Sequence, residues 1–320
     1  MSSSVAMCTY NGEKFLKQQL NSILNQTLAV DEIIICDDRS TDSTISILNS
    51  YKEKYPDLFK IFINNENIGS VKNFEKAISL CKNEIIFLSD QDDIWVTNKV
   101  EVITATFKNN QEILVIATNG YGIDDLDQLA DVITVWDVIK FVKANGYLFD
   151  YFNILNLKDN FCTGATMALK IEIRNELFPI PVVRGLHHDK WIALVAASIN
   201  RLFFLDEKLI YYREHSNQQV GNVLYKNTEK DKFSITNYFS IEKENKSFSD
   251  YKKLLKEFAS AYKTNLLLLE KFPAHKNYFT ITLTKLKERF KNNNSELNKK
   301  FPVRAKFLKF ADRFLGKRKI

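Results

Sequence analysis

The stretch FLSDQDDIW, residues 87–95, ends an apolar run that begins at Ile85 on three carboxylates, Asp90, Asp92 and Asp93. Like charges crowded this closely repel, so the cluster predicts a cation beside it. Working outward, the run is one of four short apolar segments, Val5 to Thr9, Glu32 to Cys36, Lys60 to Ile63 and Glu84 to Ser89. Their Ile, Val and Phe content predicts strands. Between them, residues 13–26 set Phe15, Leu16, Leu20, Ile23 and Leu24 on one helical face. Residues 42–55 repeat the pattern with Ile45, Ile47, Leu48 and Tyr51 behind the capping run Ser40-Thr41-Asp42, and residues 70–81 with Val71, Phe74, Ala77 and Ile78. Strand and helix alternating at this spacing predict right-handed βαβ units, and so an α/β fold with a parallel sheet flanked by helices. Ligands bind such sheets beyond the carboxyl ends of the strands.

All four of those ends are polar: Thr9-Tyr10-Asn11, Asp37-Asp38-Arg39-Ser40, Asn64-Asn65-Glu66-Asn67 and Asp90-Gln91-Asp92-Asp93. Turn and capping roles account for any one of them, but four together argue for a site. None of the nine glycines forms GxGxxG or GxxxxGK[ST], which argues against a dinucleotide-dependent dehydrogenase or a P-loop enzyme. Carboxylates tolerate a phosphate when a divalent ion lies between them, and Mg²⁺ or Mn²⁺ takes such hard oxygen ligands. Asp90 and Asp92, spaced as DxD, therefore point to a metal–diphosphate site. On the other reading, Asp92 or Asp93 caps a helix expected from about Ile94 toward Phe107.

With 45% hydrophobic and 26% charged residues, 320 residues can bury a sizeable core in one large domain or two modest ones. No apolar run approaches the roughly 20 residues of a membrane-spanning helix, and MSSSVAMCTYNGEK leads into a strand instead of a signal peptide; a cytoplasmic location is expected. Cys8, Cys36, Cys81 and Cys162 form no CxxC pair and are expected as reduced thiols. Charge divides unevenly. Residues 221–320 carry 24 Lys and Arg against 10 Asp and Glu, leaving 21 against 29 in residues 1–220. An acidic body followed by a basic segment suits an anionic partner for the latter and argues against nucleic acid as the partner of the former.

Taken in order, CTYNGEKFLKQQLNSILNQT, EIIICDDRSTDST, NENIGSVKNFEKAI, FLSDQDDIW, FCTGATMALK, HHDKWIALVAAS and LIYYREHSNQQVG resemble family 2 glycosyltransferases of the GT-A fold, most closely the bacterial rhamnosyltransferase-like members. The resemblance spans about residues 4–221. It implies a GT-A domain over residues 1–220, with a mostly parallel nucleotide-binding sheet flanked by helices, and leaves residues 221–320 as a basic helical C-terminal region. Residues 119–158 match no block and are expected to form a variable acceptor-side region. The implied activity is inverting transfer from a dTDP- or UDP-sugar, rhamnose being favoured by DQDDIW, to a saccharide or lipid-linked acceptor of surface polysaccharide synthesis.

The resemblance also implies roles for individual residues. Thr9, Tyr10 and Asn11, with Asp38, would hold base and ribose; Asp90 would lie near the ribose and Asp92 on the metal. Asn67 belongs to the turn before Lys72, which would meet a phosphate. Asp189 occupies the position of the general base, with an ordinary first-turn helix acid as the other reading. His188 either orients the acceptor or fills space, and Trp191, which opens the apolar run beside it, is expected with it on the acceptor and sugar side. Thr163 and Gly164 resemble the acceptor-side loop, where a small residue admits a sugar. His215 is a metal ligand or a loop contact, and Arg213 a clamp on diphosphate. The scaffold alternative, a non-catalytic sugar-nucleotide binder, would lack the base or the DxD.

Two aromatic groups remain. Trp136, Phe141, Tyr147, Phe149, Tyr151 and Phe152 read as core more readily than as sugar platforms. In residues 301–320, Val303, Phe307, Phe310 and Phe314, with Leu308, Ala311 and Leu315 alongside, form one helical face opposite seven Lys or Arg and one Asp. Such a helix either lies on an anionic membrane as a peripheral anchor or packs on the protein with a solvated basic face.

Overall fold

The computed structural model describes residues 1–146, 150–183, 185–215, 223–239, 246–315, 318 and 320. Its first half follows the expected alternation: β1 (Ser3–Thr9), α1 (Leu16–Leu24), β2 (Glu32–Asp37), α2 (Thr44–Lys54), β3 (Phe59–Ile63), α3 (Ser70–Leu80) and β4 (Ile85–Ser89). There follow β5 (Ile94–Trp95), α4 (Lys99–Asn109), β6 (Val115–Ile123), β7 (Val132–Thr134), α5 (Val138–Ala144), α6 (Tyr151–Leu157), β8 (Met167–Lys170), α7 (Arg174–Leu177), α8 (His188–Ser198), β9 (Leu202–Arg213) and β10 (Leu224–Lys226). Eight strands form one sheet in the order β3-β2-β1-β4-β8-β6-β9-β5.

The pairs β1/β2, β2/β3 and β1/β4 are parallel, with Val5 opposite Ile33 and Ala6 opposite Leu88. Central strands covered on both faces must be apolar throughout, and Ile33, Ile34, Ile35, Ile86, Phe87 and Leu88 are all buried. Each is worth about 1.5–3 kcal/mol on burial. Helices α1 and α3 cover the sheet with Leu16, Leu20 and Ile23, and with Phe74, Ala77 and Ile78.

Beyond β4 the sheet departs from simple alternation. β8 enters antiparallel between β4 and β6, and β6 pairs parallel with β9. The helix expected from Ile94 begins instead at Lys99, because Ile94 and Trp95 pair with Tyr211 and Ile210 of β9. Neither Asp92 nor Asp93 therefore caps it; Asn98 stands at that position. The same pairing brings the carboxylate loop beside the end of β9.

The described residues divide into two compact units, Met1–Phe152 with Asn160–Thr236, and Asn153–Asp159 with Asn237–Ile320. In the first, Trp136 and Phe152 are buried core residues, as the aromatic stripe suggested, while Tyr147 and Phe149 lie outside the described residues. No disulfide links the cysteines; Cys36, Cys81 and Cys162 are buried and Cys8 is half-buried.

The second unit follows α9 (Glu229–Phe239) with α10 (Phe248–Lys271), α11 (Lys276–Lys300) and α12 (Pro302–Leu315). A capping box starts α10: the Ser247 N–H donates to Asp250 Oδ2 at 2.8 Å and the Asp250 N–H to Ser247 Oγ at 3.3 Å. Leu157, Phe258, Ala261 and Leu286 form one core cluster, and Tyr251, Leu255, Leu297 and Ala305 another. The apolar face expected on the last helix is split. Ala305 and Leu308 pack on the second cluster, whereas Val303, Phe307 and Phe310 are 67%, 73% and 62% exposed. The side chains of Ala311, Phe314 and Leu315 lie outside the described residues.

Candidate active site

The carboxyl ends of β1, β2 and β4 converge on one rim, and the expected nucleotide residues stand there in two kinds of position. Tyr10 is exposed, and its backbone is latched to the carboxylate loop by Gln91. The Tyr10 N–H donates to Gln91 Oε1 at 2.8 Å, and Gln91 Nε2 donates to the Tyr10 carbonyl at 3.0 Å. A Cβ on Gly12 would fall 2.3 Å from that Oε1, so glycine is what admits the latch. Asn11, at φ 50°, accepts the Thr41 N–H at 2.8 Å. Thr9, by contrast, is buried with its hydroxyl donating to Asp37 Oδ2 at 2.7 Å, so its side chain supports the rim without facing a ligand.

Asp38 is buried and ties down the turn after β3. Oδ1 accepts from Asn64 Nδ2 at 2.9 Å and the Ile68 N–H at 2.8 Å, and Oδ2 from the Gly69 N–H at 2.9 Å. Asn67, in that turn, accepts from Gly69 at 3.2 Å. Lys72 lies one turn into α3 with Nζ 3.1 Å from both Glu75 carboxylate oxygens, so its charge is paired within the helix and not held ready for a phosphate.

Two buried cations that sequence reasoning did not assign to charge compensation, Lys99 and Arg213, lie beside the carboxylate loop, yet they do not offset the crowding of its charges. Lys99 is fully buried; Nζ donates to the Ala165 carbonyl at 2.7 Å and lies 4.3 Å from the Trp95 ring centroid. Burial lowers its pKa to about 7, against the pull of Asp93 and Asp90. Arg213, expected as a diphosphate clamp, is likewise fully buried. Its Nε donates to the Asp92 carbonyl at 2.8 Å, NH1 to the Asp124 carbonyl at 2.8 Å and to Asp127 Oδ1 at 2.5 Å, and NH2 to Gln18 Oε1 at 3.2 Å. A guanidinium so enclosed braces the carboxylate loop. Burial, then the Asp92 and Asp189 charges, raises the Asp90 pKa to about 7. The Asp93 carboxyl is also held well above the usual carboxylate range, by burial and then by Asp92 and Asp90.

Asp92 Oδ2 is 3.0 Å from His215 Nε2, so the two expected metal ligands meet. Among the described residues no group of three or more His, Cys, Asp or Glu is gathered to hold an ion. Two protein donors, one hard oxygen and one imidazole, would suit a divalent ion only with further oxygens from a bound diphosphate. Residues 216–221 of the LIYYREHSNQQVG block lie outside the described residues.

On the acceptor side, Asp189 stands in the first turn of α8. Its Oδ2 accepts the Gly164 N–H at 3.3 Å and its Oδ1 the Lys190 N–H at 2.6 Å. Thr163, half-buried, precedes the turn and accepts from Thr166 through its carbonyl. Trp191 is buried and donates from Nε1 to the Leu177 carbonyl at 2.9 Å, which makes it a core anchor and not a sugar platform. His188 stacks on Phe74 with centroids 3.9 Å apart, and a Cβ on Gly164 would lie 2.8 Å from its Nε2. Gly164 thus makes room for His188.

Burial holds the His188 pKa down to about 4. The folded protein keeps this imidazole neutral while the unfolded chain protonates near 6.5, so its stability contribution is lost as pH falls from about 6.5 to 4. His188→Phe should remove on the order of 3 kcal/mol of that slope, read from urea melts of both proteins at the two pH values. Parallel slopes would rule this out.

This arrangement, a mostly parallel sheet flanked by helices with a polar rim at the carboxyl ends of its strands, is that of a GT-A glycosyltransferase. The chain belongs to glycosyl transferase family 2, whose family model matches residues 4–178. A dTDP-rhamnosyl transferase, RfbG of Shigella flexneri, is 31% identical over 234 residues, covering 69% of this chain and 75% of its own. Among solved structures, S. aureus TarS 1-349 aligns with a TM-score of 0.52 at 17% identity, over 94% of this chain and 91% of that one. A mannosyltransferase from Pyrobaculum calidifontis, solved with GDP-Man and Mn²⁺, aligns at 0.51 and 12% identity, over 98% and 79%. At those identities the two structures bear on the fold alone.

Proposed function

We propose that the protein is an inverting, metal-dependent hexosyltransferase that moves a sugar, rhamnose foremost, from a dTDP- or UDP-sugar to a hydroxyl of a saccharide or lipid-linked acceptor in bacterial surface polysaccharide synthesis. The observation that carries this reading is membership of glycosyl transferase family 2 together with 31% identity to a dTDP-rhamnosyl transferase, and the Asp189 charge also acts on Asp90. On this reading one cleft rim carries both an acceptor-side base and a leaving-group side. Asp38 retains an acceptor position on Oδ2, suited to a base imide N–H, and Tyr10 and Asn11 flank it. Asp92 and His215 would hold Mg²⁺ or Mn²⁺, which would supply positive charge to the leaving diphosphate.

In the transfer, the acceptor oxygen bonds to the anomeric carbon as the bond from that carbon to the phosphate oxygen breaks on the opposite face. The hydroxyl proton passes to Asp189, whose carboxylate is held by the Gly164 and Lys190 N–H groups. Orientation and electrostatics supply most of the rate. Titration calorimetry with dTDP, UDP and GDP, each with Mn²⁺ and with EDTA, tests the donor side. One nucleotide should bind only with metal, and Asp92→Ala should abolish that binding. No binding under any condition would leave the fold without its chemistry and favour the scaffold reading.

The enzyme works in the cytoplasm at the inner face of the membrane, where lipid-linked acceptors lie. Among the described residues no helix is long and apolar enough to cross a membrane. Support for peripheral docking comes from α12, where exposed Val303, Phe307 and Phe310 share the helix with exposed Arg304, Lys306 and Lys309. Aromatics entering the interface beside cations fit an anionic surface. The double variant Phe307→Ser/Phe310→Ser should bind phosphatidylglycerol-containing vesicles at least about tenfold more weakly. Unchanged sedimentation with vesicles would refute the docking.

A further inference from the structure

We propose that Lys99 is a positioning residue that ties the segment just past the carboxylate loop to the 163–166 turn, and through it sets the Asp189 carboxylate. The proposal rests on the reading of Asp189 as the base. Lys99 is the first residue of α4, a place where the helix dipole disfavours a cation and where a lysine ordinarily reaches into water. Here it is wholly buried. A buried ammonium is costly unless acceptors and opposite charge surround it, so its presence against local preference signals a role.

Its surroundings define that role. Toward the loop stands Asp93, 1% exposed, whose Oδ1 accepts the Arg213 N–H at 3.0 Å; it forms no ion pair with Lys99, and only its charge acts on the ammonium. Toward the turn, Lys99 Nζ donates to the Ala165 carbonyl at 2.7 Å. The Trp95 ring closes a third side, at 4.3 Å from the ammonium. The residue preceding Ala165 is Gly164, whose N–H reaches Asp189 Oδ2 at 3.3 Å. Moving the turn inward is blocked by His188, against which Gly164 already sits too close for a Cβ. Lys99 holds the turn from the other side. Trp95, two residues past the carboxylate loop, and Asp189 are thereby joined through one ammonium, one carbonyl and one peptide N–H.

Hydrogen exchange and kinetics on Lys99→Met and Lys99→Arg test this. In Lys99→Met, amide exchange across Gly164–Thr166 should quicken by tenfold or more, roughly the loss of one buried charge-assisted hydrogen bond. Binding of dTDP with Mn²⁺ should stay within about twofold, while kcat for transfer from dTDP-rhamnose to octyl glycosides falls by about tenfold to a hundredfold. Lys99→Arg should recover part of both, since it keeps the charge. A turn whose exchange is unchanged in Lys99→Met overturns the proposal, as does an equal loss of nucleotide affinity and kcat, the mark of a merely structural residue. If Lys99→Met fails to fold, Lys99→Met/Asp93→Asn removes the uncompensated carboxylate and carries the same measurements. Full activity of Asp189→Asn together with quickened exchange in Lys99→Met would sink the base assignment and leave the tie. Unchanged exchange with an inactive Asp189→Asn would sink the tie alone.

Discussion

Replacing Asp189 with asparagine is expected to lower sugar transfer about a thousandfold while leaving donor binding within about twofold. The substitution is nearly isosteric. Both carboxylate oxygens accept backbone N–H groups, from Lys190 at 2.6 Å and from Gly164 at 3.3 Å. An asparagine with its oxygen toward Lys190 keeps the shorter bond and gives up the longer, weaker one, so the fold should lose little stability. What disappears is the acceptor for the hydroxyl proton. Because the nucleotide is gripped by other residues, its titration should barely change. A variant that transfers sugar at the parent rate would remove Asp189 from the chemistry and return it to the role of a first-turn helix acid.

Arg213→Met should destabilise the protein by about 3–5 kcal/mol, the cost of breaking a buried charge network from one side. The methionine fills much of the arginine stem but leaves the Asp92 and Asp124 carbonyls and Gln18 Oε1 without their donor. Phe15 also loses the guanidinium that stacks 4.3 Å from its centroid. Urea melts read the loss directly. Lys at this position should not restore it, since one ammonium cannot reach acceptors spread over a planar fork. Metal-dependent nucleotide binding should weaken as a secondary effect, because the Asp92 backbone is no longer braced. The opposite pattern, a fully stable Arg213→Met with nucleotide binding lost, would mean that the guanidinium serves the diphosphate after all.

Sequence alone revealed the parts of this molecule that depend on near neighbours. The strands ending at Thr9, Asp37, Ile63 and Ser89 and the helices between them follow from local periodicity, and so does the polar rim they share. What stayed hidden depends on distant partners. Ile94 and Trp95 continue an apolar pattern that reads as helix, and only pairing with Tyr211 and Ile210, more than a hundred residues on, makes them a strand. Lys99 carries no local signal, because the Ala165 carbonyl that meets its ammonium lies 66 residues further on. Arg213 is expected from its block as a diphosphate clamp, yet its partners Gln18, Asp124 and Asp127 are scattered along the chain and invisible as a set. Trp191 was quoted for its neighbour Asp189, although its own ring belongs to the core. The signal that was available and overlooked is Gly12: a small residue directly after the first rim marks a close approach, and Gln91 is what approaches.

The two bonds between the Tyr10 backbone and the Gln91 side chain make residues 10–12 and 90–93 a single cassette for anyone wishing to alter nucleotide preference. Grafting a foreign segment over residues 10–12 while keeping Gln91 would present that amide with a backbone of different shape, and any side chain at residue 12 would evict it. Exchange of both segments together preserves the fit. Libraries that randomise one of them alone will sample mostly mismatched pairs, whatever the merits of each half.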